Sequence, residues 1–346
     1  MAYTATAASV QASALNGWQS ALQDYDLTRP ELDENLVLFR HKLSDINSTL
    51  SLAKFVEDLE EIGRTVKKSS LFWRAGESFD FSALGDIGRA VQSAKSLRTA
   101  VRRFADYFTL VQDSTELKFE IGDEFATLSY RILDPNIWPR SCDAAFTLGL
   151  FAQIIRRAAG FSWHEVEVTM ECDRDELTGE VASTVGTGCS FGGEANIIRF
   201  PVSFLDRPLI PRAEIDHKTL DALSKKVTLK KRTMQVAARV KMEIYSQLGQ
   251  GNIDQNSVAR ELGMSSRTLR RKLTADGISF QNILDECRML MATLELKSRA
   301  NVSLSETALR LGYSEHSTFS RAFSRWCGIA PQDYRKMERS TISLAS

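Results

Sequence analysis

The last third of the chain contains an internal repeat, and a repeat of this kind admits few folds. Val258-Ala259-Arg260-Glu261-Leu262-Gly263-Met264-Ser265 resembles Thr307-Ala308-Leu309-Arg310-Leu311-Gly312-Tyr313-Ser314. Both segments run on into a helical pattern with apolar residues in the same phase, Leu269 and Leu273 in one, Phe319 and Phe323 in the other. Both then reach a Gly-Ile pair, at Gly277-Ile278 and Gly328-Ile329. Each half has a mechanical reading. A small residue (Ala259, Ala308) lets a second helix cross close above the first. The glycine (Gly263, Gly312) supplies a backbone angle that a β-carbon disfavours. The serine two residues on (Ser265, Ser314) is placed to cap the following helix. Helix, short glycine turn and capped helix together make the helix-turn-helix plan. One such pattern is a weak signal; two in tandem are specific.

Charge supports a polyanion as the partner of this region. The chain is formally neutral, with 44 basic and 44 acidic residues, but 21 of the former and 11 of the latter lie from Ala222 onward. That leaves 23 against 33 before it, so a net of +10 follows a net of −10. Such a split fits a basic part that meets nucleic acid and an acidic part that does not. The second helices carry the donors that base edges and phosphates accept from. In the first unit these are Ser265, Ser266, Arg267, Thr268, Arg270, Arg271 and Lys272; in the second they are Ser314, His316, Ser317, Thr318, Ser320 and Arg321. The second face is less basic, and Glu315 on it would accept from cytosine or repel phosphate. Between the units, Phe280, Ile283, Leu284, Cys287, Leu290, Met291 and Leu294 form one apolar stripe. It predicts a helix over residues 279–298, roughly 30 Å long at ~1.5 Å per residue. That is close to the ~34 Å turn of B-DNA, so one chain could reach two successive major grooves.

At these residues the sequence resembles the AraC/XylS family of transcription regulators. The family's closing signature, F-x-x-x-x-G-x-x-P-x-x-Y-R, stands here as Phe323, Gly328, Pro331, Tyr334 and Arg335, and the resemblance covers about residues 235–339. It implies base contacts from Arg267, Arg270, Arg271, His316, Ser317, Thr318 and Arg321. It also implies double-stranded operator DNA and RNA polymerase as partners, and the activation of a catabolic operon by a bacterial, cytoplasmic, nucleoid-associated homodimer. Leu273 stands where many relatives have Phe, a variation in packing. More loosely, Phe81-Ser82-Ala83-Leu84-Gly85, Leu97-Arg98-Thr99-Ala100-Val101, Leu128-Ser129-Tyr130 and residues 191–200 resemble the sensing domain of a subgroup. That subgroup includes the ornithine-utilisation regulators and regulators of amine or amino-acid catabolism, and is set apart from the arabinose regulator's own jelly roll. The resemblance implies a small-molecule effector, with an amine or amino acid as the leading class. The alternative is a regulator without an effector, whose front half only dimerises or binds protein.

The front half itself shows mixed periods. Leu50, Leu52, Ala53, Phe55, Val56, Leu59 and Ile62 read as an amphipathic helix, and Val91, Ala94, Leu97, Val101, Phe104 and Phe108 predict one helix over residues 90–108. Alternation over 117–121 and 126–133 about Gly122-Asp123 predicts a hairpin. Residues 144–159 return to helix, and 165–170 and 196–200 read as strands. The fold class is an α+β N-terminal effector domain followed by an all-α C-terminal domain with two helix-turn-helix units. The expected divisions are a flexible arm at 1–30, a sensing and dimerisation domain at 31–205, a linker at 206–234 and the DNA-binding domain at 235–346. Lys225, Lys226, Lys230, Lys231 and Arg232 in that linker are either solvated charge or phosphate contacts. Asp134, Trp138, Arg140 and Trp163 could line an effector pocket in which aromatic faces and a carboxylate hold a cation, or they are core.

An enzyme is the competing class. Gly186-Thr187-Gly188-Cys189-Ser190-Phe191-Gly192-Gly193 suggests a phosphate loop or nucleophile elbow, but it lacks both G-x-G-x-x-G spacing and a G-K-[ST] ending. A catalytic thiol needs a base, and His164 has nothing to place it. The stretch reads better as a glycine-rich turn. The five cysteines and four histidines are scattered, so no metal or cofactor is expected. No stretch approaches the ~20 apolar residues of a membrane helix.

Overall fold

The computed structural model describes residues 8–13, 49–66, 70–173, 176–249, 251, 253–298 and 302–345. The chain divides into two compact units, Met1–Arg232 and Thr233–Ser346. No helix among the described residues is long and apolar enough to cross a membrane.

Unit 1 is α+β, as its mixed periods predict. Its strands are β1 (Ser9–Gln11), β2 (Thr49–Ser51), β3 (Thr115–Ile121), β4 (Phe125–Ile132), β5 (Glu167–Thr169), β6 (Gly188–Ser190) and β7 (Asn196–Pro201). β1 and β2 pair by themselves, while the others form one sheet in the order β3-β4-β7-β5-β6. Among the described strands only β5 and β6 run parallel. The predicted hairpin is β3–β4, in register from Thr115 opposite Ile132 to Ile121 opposite Ala126. Alternation along β4 buries Ala126, Leu128, Tyr130 and Ile132 on one face, and helices cover that face. The helices of unit 1 are α1 (Leu52–Val66), α2 (Ser70–Glu77), α3 (Asp86–Gln92), α4 (Leu97–Tyr107), α5 (Ser141–Ala159), α6 (Glu176–Val185) and α7 (His217–Thr233).

The structure departs from the sequence pattern at several places. The single helix predicted over 90–108 is two, α3 and α4. Ser96 accepts a hydrogen bond from the Thr99 amide and restarts the chain as an N-cap, a local competition that the apolar stripe does not show. Residues 206–234, expected as a linker, contain α7, which is docked on unit 1 with Leu223 buried. Of the expected arm, residues 8–13 are described, and Val10 on β1 is in the core; the rest of 1–30 lies outside the described residues. The glycine-rich stretch is neither a phosphate loop nor a plain turn, because it forms the edge strand β6 beside β5.

At the centre, α2 crosses α5 with glycine against glycine. A β-carbon on Gly149 would lie 2.3 Å from the Trp73 carbonyl oxygen, and one on Gly76 would lie 2.2 Å from that of Phe146. In an exposed helix, replacing glycine by alanine gains about 1 kcal/mol. Here the clash is with backbone, which has no rotamer to turn aside, and overpacking of this sort costs about 1–3 kcal/mol or more. Gly149→Ala is therefore expected to lower the urea midpoint of unit 1; an unchanged or raised midpoint would show that the helices can separate freely.

Candidate nucleic-acid interface

Unit 2 is all helical: α8 (Val236–Gln247), α9 (Gln255–Glu261), α10 (Ser266–Ala275), α11 (Phe280–Ser298), α12 (Leu304–Arg310), α13 (His316–Cys327) and α14 (Pro331–Ala345). The two turns are built alike. Gly263 has φ +69° and Gly312 φ +77°. The Met264 amide donates to the Ala259 carbonyl and the Tyr313 amide to the Ala308 carbonyl, both at 2.9 Å. This six-to-one closure ends a helix and reverses the chain without leaving its last carbonyls bare. Ala259 and Ala308 are fully buried where the following helices cross.

The second helices begin differently. Ser265 caps α10, its Oγ accepting from the Thr268 amide at 3.1 Å. Ser314 does not cap α13; Glu315 is the N-cap, without a side-chain cap bond. The second turn is one residue longer, so the 49-residue offset between the glycines becomes 50 between Leu269 and Phe319. Ser314 is left exposed in the turn.

Around each helix the side chains sort by angle, at about 100° per residue. On α10, Leu269 and Leu273 are buried. Arg267 and Arg271 lie opposite them, with Thr268 beside, and Arg270 and Lys272 are on the flanks; all four cations are exposed. None of the four has a hydrogen bond or ion pair among the described residues. Ser266 is turned toward α9, where its Oγ accepts from Gln255 Nε2 at 2.8 Å. On α13, Phe319, Ala322 and Phe323 are buried, and Ser317 and Arg321 lie opposite. This face is partly satisfied within itself. Ser317 Oγ donates to Glu315 Oε2 at 3.2 Å, Arg321 Nη2 meets Thr318 Oγ1 at 3.5 Å, and His316 Nε2 and Ser320 Oγ are 3.3 Å apart. Arg325, one turn beyond Arg321, also reaches this side, and pairs with Asp285 at 3.3 Å; its spacing was the signal for it.

A second pair of residues missed from the sequence holds the turns. Arg239 on α8 donates from Nη2 to the Leu262 carbonyl at 3.1 Å. Arg288 on α11 donates from Nε to the Leu311 carbonyl at 2.8 Å and from Nη2 to that of Gly312 at 3.3 Å. The two arginines stand 49 residues apart, as do Leu262 and Leu311, so the offset of the glycines would have found them. The α11 stripe buries Ile283, Leu284 and Cys287 as predicted, then continues through Arg288, Ala292 and Leu296. The family signature is packing: the Phe323 and Tyr334 rings meet edge-on at 5.5 Å, and Gly328 is a left-handed C-cap.

Of the four residues expected to line an effector pocket, Asp134, Trp138 and Arg140 stand together, and Trp163 does not join them. Arg140 is the N-cap of α5, while Trp163 follows the C-cap of that 19-residue helix, about 28 Å away at ~1.5 Å per residue. Trp163 stacks on Arg156 and donates to the Val185 carbonyl at 2.9 Å. Arg140 is buried and held by Glu171 through Nε at 2.7 Å and Nη2 at 2.9 Å. Asp134 accepts from the Asn136 amide, and Trp138 lies beside the Arg140 guanidinium at 5.4 Å. The nearby Asp143 accepts from Tyr130 Oη at 2.6 Å, and burial pushes its carboxyl up to about 7. Burial likewise raises Glu60.

Two expectations follow. A carboxyl raised in the fold holds its proton longer than in the unfolded chain, so its contribution is full below about pH 4 and is lost as pH rises through about 7. Asp143→Asn should flatten the fall of unfolding free energy across that window, by up to about 1.4 kcal/mol per pH unit; an unaltered slope would show that Asp143 titrates normally. In unit 2, an added β-carbon on Gly263 meets nothing within 4 Å, whereas on Gly312 it lies 3.1 Å from Arg288 Nη2 and 3.0 Å from the Gly251 carbonyl. Both alanine variants take on the left-handed strain of about 1–2 kcal/mol. Gly312→Ala should be the less stable of the two in denaturant melts; equal losses would show that the clamp yields.

Comparison with known proteins agrees with this geometry. Residues 38–209 match the family described as the N-terminal arabinose-binding domain of the AraC transcription regulator, and residues 258–337 match a helix-turn-helix domain. By sequence the front half resembles the ornithine-utilisation subgroup rather than the arabinose regulator, and the family that matches it carries the arabinose-binding domain's name. The chain is 29% identical over 273 residues to an uncharacterised HTH-type transcriptional regulator of Mycobacterium tuberculosis, covering 75% of this chain and 77% of that one. It is 26% identical over 321 residues to the ornithine utilization regulator of Pseudomonas aeruginosa, covering 90% and 92%. It is 25% identical over 300 residues to the regulator VirS of M. tuberculosis, covering 83% and 84%. These relatives are regulators and not enzymes. The chain is a DNA-binding transcription regulator of the AraC family.

Proposed function

We propose that α10 and α13 are the base-reading helices and enter successive major grooves on one side of an operator. The observation that carries this is the pair of outward faces, Arg267 and Arg271 on α10 and Ser317 and Arg321 on α13, each opposite a buried apolar pair. α11 spans 19 residues, about 28 Å at ~1.5 Å per residue, which suits two helices near one turn of duplex apart. α10 is the stronger reader, because its arginines are free for bidentate bonds to guanine. Thr268, Arg270, Lys272, His316, Thr318 and Ser320 flank those faces and serve neighbouring bases or phosphates. Lys225, Lys226 and Arg232, exposed on α7, add contacts to phosphate only.

Unit 1 is the sensor in this reading. It binds a small amine or amino acid and shifts the population of a homodimer, in the cytoplasm at the nucleoid, toward an arrangement that recruits RNA polymerase to a catabolic operon. The likeness to a regulator named for ornithine utilization supports that effector class.

The test is a binding series on the operator and on scrambled duplex. Arg271→Ala should cost about 1–3 kcal/mol on the operator and relax preference at one base position. Lys225→Gln with Lys226→Gln should weaken both duplexes alike and lower the salt slope by about 0.9 for each phosphate no longer neutralised. If Arg271→Ala weakens both duplexes equally, it touches only phosphate, and the base-reading role is overturned.

A further inference from the structure

Unit 1 has a groove of about 420 Å³ along the seam between α4 and α7, closed at its floor by the edge strand β3. The size falls within the roughly 300–1,000 Å³ of small-molecule sites. Its walls follow from helical spacing: Arg102, Ala105, Asp106 and Thr109 make one face of α4 and its continuation, and Ser224, Val227 and Lys231 make one face of α7. Leu117 and Phe119 of β3, with Val227, supply apolar surface. Two ties hold the walls in place beside the groove. Tyr107 Oη lies 3.4 Å from Ser224 Oγ, and Lys230 Nζ donates to the Thr109 carbonyl and pairs with Asp113, each at 2.6 Å.

The charges around this floor are unlike their neighbours. Lys230 is paired with Asp113, and Arg131 and Lys118 are both paired with Glu116. Arg102, Asp106 and Lys231 are exposed on the groove and have no hydrogen bond or ion pair among the described residues, although Arg102 and Asp106 are one turn apart on α4. Two cations on facing walls suit a carboxylate between them. The single carboxylate one turn along suits an ammonium, and the apolar floor suits an aliphatic chain.

We propose that this seam is the effector site and that it takes a free α-amino acid with an aliphatic side chain. Arg102 and Lys231 hold the carboxylate, Asp106 holds the ammonium, and the side chain lies on Leu117, Phe119 and Val227. The inference rests on the reading of unit 1 as a sensor. Its consequence is that the occupant touches α7, whose last residue, Thr233, is the first of unit 2.

Thermal unfolding of the full chain tests it, with L-leucine as the probe beside 4-methylpentanoate, which lacks the ammonium, and 3-methylbutylamine, which lacks the carboxylate. L-leucine should raise the melting temperature with increasing concentration, and each of the other two should do so less. Arg102→Gln and Lys231→Gln are surface changes that leave the fold intact, and each should raise the dissociation constant by about tenfold or more through loss of a charge-assisted bond. Val227→Trp should fill the groove and abolish the shift. If L-leucine stabilises all three variants as it does the parent, the site is misplaced while the sensor reading stands. If the acid or the amine alone matches L-leucine and depends on the same residues, the ligand class is overturned. If none of the probes acts and other metabolites do, the seam is not an amino-acid site. If no metabolite of any class acts, the sensor reading itself fails.

Discussion

Each helix-turn-helix hangs on an arginine donated from the helix before it. A guanidinium that bonds the last carbonyls of a short helix does two things at once. It satisfies acceptors that the helix cannot, and it places positive charge at the negative end of the helix dipole. Arg288 is 8% exposed and faces no carboxylate at these bonds, so the carbonyls of Leu311 and Gly312 and the Tyr313 ring 4.6 Å away are what make its burial tolerable. The same guanidinium closes the space in which a β-carbon of residue 312 would sit. Arginine and glycine are thus one device, and the turn angle that aims α13 depends on both.

The device is repeated but loosened in the first unit. Arg239 makes a single bond, to the Leu262 carbonyl, and nothing crowds Gly263. What the first unit lacks in clamping it has in capping, since Ser265 and Asp254 both cap helices through their side chains. The second unit clamps its turn and gives up the side-chain cap of its second helix to a longer loop. The polar groups of α13 then bond to one another. In the proposed reading, contacts from Ser317 or Arg321 to DNA would exchange one protein hydrogen bond for another, whereas Arg267 and Arg271 would exchange only water. Exchange of equal bonds leaves little net gain, which argues for a first helix that sets affinity and a second that adjusts it.

The sequence made legible much of what depends on neighbours along the chain, the caps at Ser96 and Ser314 apart. The glycine turns, the buried faces of α10, α11 and α13 and the β3–β4 hairpin all follow from residues a few positions apart. What depended on distant partners did not show. The Arg140–Glu171 pair joins residues 31 apart, and without Glu171 in view Arg140 resembled a ligand-binding cation. Ser96 breaks a continuous apolar stripe because a side-chain cap competes locally with the helix, and periodicity counts only apolar positions. The repeat of Arg239 at Arg288 is legible at the glycine offset. It lies in helices whose apolar pattern is the stronger signal and conceals a functional arginine among core positions.

The helix α7 has the composition of a linker for a related reason, and the reason bears on how it works. Leu223 is its one buried residue, and Leu220 and Val227 pack only partly against the core, so by composition it looks like a tether. Its docking includes that small apolar contact, the Tyr107–Ser224 bond and the bonds of Lys230. Each is worth about 1 kcal/mol in water. Individually, contacts of that size are comparable to the roughly 1–3 kcal/mol through which one ligand can bias an equilibrium. A deeply buried helix would be beyond that reach, and a free linker would have no position to bias. If unit 1 senses a ligand as proposed, the polar composition that disguised α7 leaves its docking adjustable, at the segment that leads from unit 1 into the DNA-binding unit.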